Sequence, residues 1–183
     1  IRDRDSGFAM REKRLAIAAA LLLSVARSAS PQTAPNIILI YADDLGYGDV
    51  QCNNPERGKI LTPNIDRLAS QGMRFTDAFA TTPLCSPSRA SFLTGQYAHT
   101  NTIVDNTARD AASHQLQTFA LPLAAAGWRT GFFGKWHMGN DDSPRPGFDH
   151  WVAMPGQGEA TDPSLNVDGN RVISFGTSSY GYD

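Results

Sequence analysis

Three small groups of residues carry the chemistry open to this sequence. Asp43 and Asp44 stand side by side after an apolar run, Cys85 and Arg89 stand four apart, and Lys135 and His137 two apart. Adjacent carboxylates repel each other. A hard divalent cation would relieve that repulsion, since calcium and magnesium favour carboxylate oxygen. A solvated Asp-rich turn leading into Gly46 accounts for the pair equally well. Cys85 precedes a helix N-terminus, where partial positive charge favours anions, and Arg89 lies one helical turn on along the same face. The alternative makes Cys85 a small buried hydrophobe and Arg89 an exposed helix charge. A loop flanked by proline and serine is a poor place to bury a thiol. Lys135 and His137 point the same way in an extended segment, where they could bind an anion and supply a proton. A surface lysine beside a structurally satisfied histidine is the bland version of that pair.

The elements that position these groups read as α/β. Asn36 to Ala42 is a continuous β-branched apolar run, as in a strand buried on both faces of a parallel sheet. Its end delivers the two aspartates, and in open α/β sheets ligands collect beyond the carboxyl ends of strands. Thr62 and Pro63 open a helix that Gly72 closes, with Ile65, Leu68 and Ala69 as its apolar side. Met73 to Ala80 reads as a strand. Ser86 offers an N-cap oxygen and Pro87 suits the first helical position, so a helix runs from there to Gly95 with Ala90, Phe92 and Leu93 able to face a core. Asn101 to Ala112 reads as a polar loop. Thr118 caps a short helix ending at Gly127, and Arg129 to Phe133 is a strand that leads into Lys135. Trp151 suits core packing or a substrate platform, and Asp168-Gly169 forms the tip of a hairpin.

Composition sets the bounds. The chain has 183 residues, with 41% hydrophobic and 19% charged content, as expected for one globular domain or part of one. A net charge of -2 gives no reason to expect nucleic acid as partner. Two cysteines, Cys52 and Cys85, are too few for a disulfide framework. A bridge between them would consume the Cys85 thiol. Met10 to Arg14 is a basic segment, Leu15 to Ala26 an apolar one, and small residues follow to Ser30. That order reads as a signal peptide over residues 10–29, too short to span a bilayer, with residues 1–9 upstream of it and 30–35 a linker. An exported protein, periplasmic or secreted, is the expectation.

The pattern Cys-Ser-Pro-Ser-Arg from Cys85 to Arg89, followed by Ala-Ser-Phe-Leu-Thr-Gly, resembles the signature of the sulfatase family. Gly-Lys-Trp-His-Met-Gly from Gly134 to Gly139 is similar to the family's Gly-Lys-Trp-His-Leu-Gly block. Pro35 to Asp49 and Thr62 to Phe79 resemble its first metal-binding and following segments. The four blocks occur in order over 36–183. The stretch from Gly147 to Gly169 resembles bacterial sulfatases acting on sulfated sugars, including the N-acetylglucosamine-6-sulfatase type.

The resemblance implies an alkaline phosphatase-like α/β fold, a mostly parallel mixed sheet sandwiched by helices and truncated at its C-terminal side. It implies hydrolysis of a sulfate ester. A formylglycine-generating enzyme would oxidise Cys85 to formylglycine, whose hydrate is the nucleophile. Asp43, Asp44 and the modified Cys85 would ligate one calcium ion. Arg89 would hold the diol, Lys135 grip the sulfate oxygens, and His137 help break the covalent intermediate. Sulfatases are far longer, with a second metal pair and another lysine and histidine in later segments, so the chain reads as an N-terminal portion carrying about half a site. Two other classes stay open: a phosphate or phosphonate ester hydrolase of the same superfamily, and a non-catalytic metal- or glycan-binding remnant.

Overall fold

The computed structural model describes residues 34–107, 109–159 and 163–173. The expected upstream segment, the signal peptide and most of the linker lie outside the described residues. Internal packing divides the chain into two units, 1–42 and 43–183.

In the first unit, residues 34–42 carry no helix or strand, and Ile37, Ile38, Leu39 and Ile40 are exposed. The expected buried strand over Asn36 to Ala42 is therefore not formed among the described residues. An apolar run becomes a strand only when a neighbour supplies ladder hydrogen bonds. The strand pairings present lie elsewhere, in β1 to β4 below.

The second unit begins with two 3-10 turns, Tyr47–Asp49 and Gln51–Asn53. Helix α1 spans Pro63–Gln71, with its proline in the first turn and Thr62 as N-cap. The Thr62 hydroxyl donates to Asp66 Oδ1 at 3.0 Å. Its expected apolar side is not buried, since Ile65 and Leu68 are exposed. The strand expected over Met73 to Ala80 is also absent, and Met73, Phe75 and Phe79 are exposed. Helix α2 spans Cys85–Thr94 and ends at Gly95, whose φ of 67° is the left-handed stop that glycine takes without steric cost. Three short helices follow: α3 (Ala98–Asn101), α4 (Asp110–His114) and α5 (Ala120–Ala125). Both α3 and α4 intrude on the expected loop from Asn101 to Ala112.

The sheet is mixed, in the order β1 (Gly131–Lys135), β2 (His150–Met154), β3 (Ser164–Val167) and β4 (Asn170–Ile173). Strands β1 and β2 run parallel, with Lys135 opposite Met154. The β2–β3 and β3–β4 pairs are antiparallel. Among the described residues the sheet is thus α/β and mixed, not mostly parallel. Asp168 and Gly169, at φ 51° and 89°, make the hairpin tip between β3 and β4.

The core lies between α2 and this sheet. Ala90 and Leu93 of α2 pack with Ile103, Leu116, Trp136, Met138, Trp151 and Ala153. Phe92, expected to face inward, is 41% exposed instead. Phe132 stacks on Trp151 at 4.8 Å between centroids and meets Trp136 edge-on at 5.2 Å. Trp151 is a core residue: it is 1% exposed, and its indole N–H donates to the Asp142 carbonyl at 2.7 Å.

Candidate active site

Helix α2 starts two residues earlier than its capping pattern suggests. Leu84 is the N-cap, and its carbonyl accepts the Ser88 N–H at 2.9 Å. Cys85 is therefore the first helical residue, and Pro87 the third, still within the turn where an N–H has no partner inside the helix. Ser86 is not the cap. It is 1% exposed, and its hydroxyl donates to the His137 carbonyl. Cys85 and Cys52 are both free and partly buried thiols, so no bridge consumes Cys85.

Arg89 lies one turn along α2 and ties it to the sheet. Its Nη1 donates to the carbonyl of Lys135, the last residue of β1. Its Nη2 donates to Asp43 Oδ2 at 2.9 Å. Lys135 Nζ reaches the same Oδ2 at 2.8 Å. One carboxylate oxygen therefore holds two cations, whose side chains are only 11% and 7% exposed. The hydrogen bond from Lys135 is the largest cause that lowers the Asp43 pKa; burial opposes it, and the charges of Arg89 and Lys135 lower it further.

The strand alternation expected to align Lys135 with His137 does not reach the histidine. Strand β1 ends at Lys135, and His137 takes φ 58°, in the left-handed region. A non-glycine residue there costs about 1–3 kcal/mol and persists where its surroundings over-determine it. Here the Ser86 hydroxyl fixes its carbonyl. His137 Nδ1 is buried and makes no hydrogen bond among the described residues. Burial first, then the charges of Lys135 and Arg89, depress the His137 pKa, while Asp43 opposes them weakly.

The structure thus gathers Asp43, Arg89, Lys135 and the His137 turn around the start of α2. Asp44 stands apart, exposed and at φ 58°. Asp43 and Asp44 suit a hard cation in donor type. Among the described residues, however, no group of three or more His, Cys, Asp and Glu assembles, and Asp43 Oδ2 is already shared by two cations. The pair offers part of an oxygen shell, against the six to eight oxygens that calcium takes.

A protein-family model described as Sulfatase matches residues 35–182. The chain belongs to the sulfatase family. It is 37% identical to the N-acetylglucosamine-6-O-sulfatase of Bacteroides thetaiotaomicron, over 84% of this chain and 28% of that protein. It is 39% identical to human arylsulfatase A, over 74% of this chain and 28% of that protein. A protein solved in complex with its substrate D-glucosamine-2-N,6-O-disulfate is 36% identical, with a TM-score of 0.68 over 80% of this chain and 28% of that one. A sulfatase from Pseudoalteromonas sp., at 21% identity and a TM-score of 0.62, covers 90% of this chain and 40% of its own, and shows the fold alone. The chain spans about a quarter of the length of the curated sulfatases it matches.

Sequence reasoning passed over one residue that contacts the start of α2. Asn106 Oδ1 accepts the Ser86 N–H at 3.0 Å. No spacing signal could find it, because the contact crosses from a polar loop to the start of α2.

Proposed function

We propose that the protein hydrolyses a sulfate ester carried on a sugar or aryl group, after a formylglycine-generating enzyme has converted Cys85 in the nascent chain. The observation that carries this reading is the convergence of Arg89 and Lys135 on Asp43, tied by hydrogen bonds to the helix that begins with Cys85. Two cations against one carboxylate leave an excess positive charge. Nearly buried charges act on an anion far more strongly than exposed ones do.

Each residue then has a part. Lys135 grips the sulfate oxygens. Arg89 holds the modified Cys85 in place and screens developing charge. Asp43 orients both cations. His137, kept neutral by its burial and by the neighbouring cations, exchanges a proton at Nε2, since its Nδ1 is enclosed. Asp43 and Asp44 would hold calcium, which when bound supplies positive charge against the ester oxygens, as formylglycine supplies paired hydroxyls on one carbon. The leader over residues 10–29 makes the protein exported, periplasmic or secreted. Similarity to an N-acetylglucosamine-6-O-sulfatase supports a sulfated sugar as the substrate.

The test is to co-express the complete gene product with a formylglycine-generating enzyme and assay paired sulfate and phosphate esters of aryl and sugar alcohols. Turnover of the sulfate ester is expected. Preference for the phosphate partner would replace this reading with a phosphate or phosphonate ester hydrolase. Binding of calcium or a sulfated glycan with no turnover of either ester would replace it with a non-catalytic remnant.

A further inference from the structure

We propose that Asn106 is a positioning residue, which caps the Cys85 helix from a separate loop and acts through Ser86 to hold Cys85 against the His137 turn. The inference rests on the sulfate-ester reading for its catalytic consequence, and on geometry alone for the cap. Helix α2 has Leu84 as N-cap, a residue with no side-chain acceptor, and no side-chain cap of its own. The first N–H groups of a helix have no partner within it. Pro87 has no N–H, and the Ser88 N–H is satisfied by the Leu84 carbonyl. The Ser86 N–H is taken by Asn106 Oδ1 at 3.0 Å. Asparagine thus does in trans what an N-cap asparagine does in sequence.

The loop that presents Asn106 is held at both ends. Ile103 is 1% exposed in the core, and its N–H donates to Asn101 Oδ1 at 3.0 Å. Arg109 forks onto Asp105, with Nε 3.2 Å from Oδ1 and Nη2 2.9 Å from Oδ2. Asp105 Oδ1 also accepts the Thr107 N–H at 3.0 Å. Ser86 is then gripped on two sides, its N–H by Asn106 and its hydroxyl by the His137 carbonyl. Cys85 directly precedes it. Loss of the Asn106 contact would let the first turn fray and loosen Cys85 relative to His137, while Arg89 and Lys135 keep their hold on Asp43. Binding of an anionic ester would persist, and the reaction would slow.

Two measurements on Asn106→Ala and Asn106→Asp test this. In the 183-residue chain, amide hydrogen exchange at Ser86 should quicken about fivefold in Asn106→Ala, with Leu93 unchanged, and stay slow in Asn106→Asp, since aspartate accepts as well. In the complete gene product with Cys85 converted, Asn106→Ala should lower kcat about tenfold or more with KM within about twofold. Asn106→Asp should keep kcat and raise KM, because its added charge repels an anionic ester. Unchanged Ser86 exchange in Asn106→Ala, or an unchanged kcat, would overturn the proposal. A wild-type protein that turns over no ester after conversion would overturn the sulfate-ester reading and the catalytic part of this one, whereas Ser86 exchange would still decide the cap.

Discussion

Lys135 Nζ lies 2.8 Å from Asp43 Oδ2, and that oxygen is also 2.9 Å from Arg89 Nη2. Lys135 is 7% exposed, so its ammonium depends on this carboxylate for compensation. The arrangement fixes both cations without neutralising them, because one negative charge faces two positive ones. A site so charged is set up to receive a further anion.

Asp43→Asn should therefore destabilise the folded unit while removing the anchor of two cations. Breaking a fully buried pair costs about 3–5 kcal/mol, but Asp43 is 32% exposed and water screens part of the loss. We expect about 1–3 kcal/mol, read as a lowered denaturation midpoint with unchanged m-value. A midpoint equal to wild type would mean that water replaces the carboxylate at no cost.

Cys85 should be converted to formylglycine when the chain is exported or co-expressed with an active modifying enzyme. Its Cys-Ser-Pro-Ser-Arg segment is intact. Peptide mass spectrometry would show sulfur lost and oxygen gained at this residue, with Cys52 unchanged. Cys85→Ala in the complete gene product should abolish turnover and leave the unfolding free energy within about 1 kcal/mol of wild type, as the side chain is small and only partly buried. An active Cys85→Ala variant would remove the residue from the mechanism.

The parts legible in the sequence were those set by local chemistry. Pro63 in the first turn of α1, the Gly95 stop, β1 and the Asp168-Gly169 hairpin tip all follow from residues that act on their own backbone. Two apolar segments, Asn36 to Ala42 and Met73 to Ala80, did not become strands. Apolar side chains record a demand for burial, and ladder partners come from elsewhere. The start of α2 misled for a related reason: Ser86 has the chemistry of a cap, but its hydroxyl found the His137 carbonyl and Asn106 took over the capping. At the site, residue types pointed to Cys85, Arg89, Lys135 and His137, while the ion pairs centred on Asp43 exist only once distant segments meet.

Acid should weaken the fold through His137. Its pKa is depressed by burial, then by the charges of Lys135 and Arg89. Between the ordinary histidine value, about 6.5, and the lower folded value, the unfolded chain binds a proton that the folded one does not. Stability is then full above about pH 6.5 and declines as the pH falls below it. His137→Gln should flatten this dependence between about pH 7 and 5, measured by chemical denaturation at a series of pH values. An identical slope in the variant would assign the acid sensitivity to another group.

Calcium should bind the 183-residue chain weakly, and through Asp43 and Asp44 together. Two carboxylates supply a minor share of the oxygens that the ion takes, and water must fill the rest. A dication at Asp43 must also share an oxygen with Lys135 and Arg89, which repel it. We expect a Kd of about 10⁻⁴–10⁻³ M by titration calorimetry, in the range of weak carboxylate sites. Asp44→Asn should weaken binding further without disturbing the fold, since Asp44 is exposed. Lys135→Met removes a repelling charge and should tighten binding, which separates competition by the cations from a simple shortage of ligands. If Asp43→Asn and Asp44→Asn both bind calcium as the wild type does, the ion is held elsewhere and the two aspartates form an ordinary solvated turn.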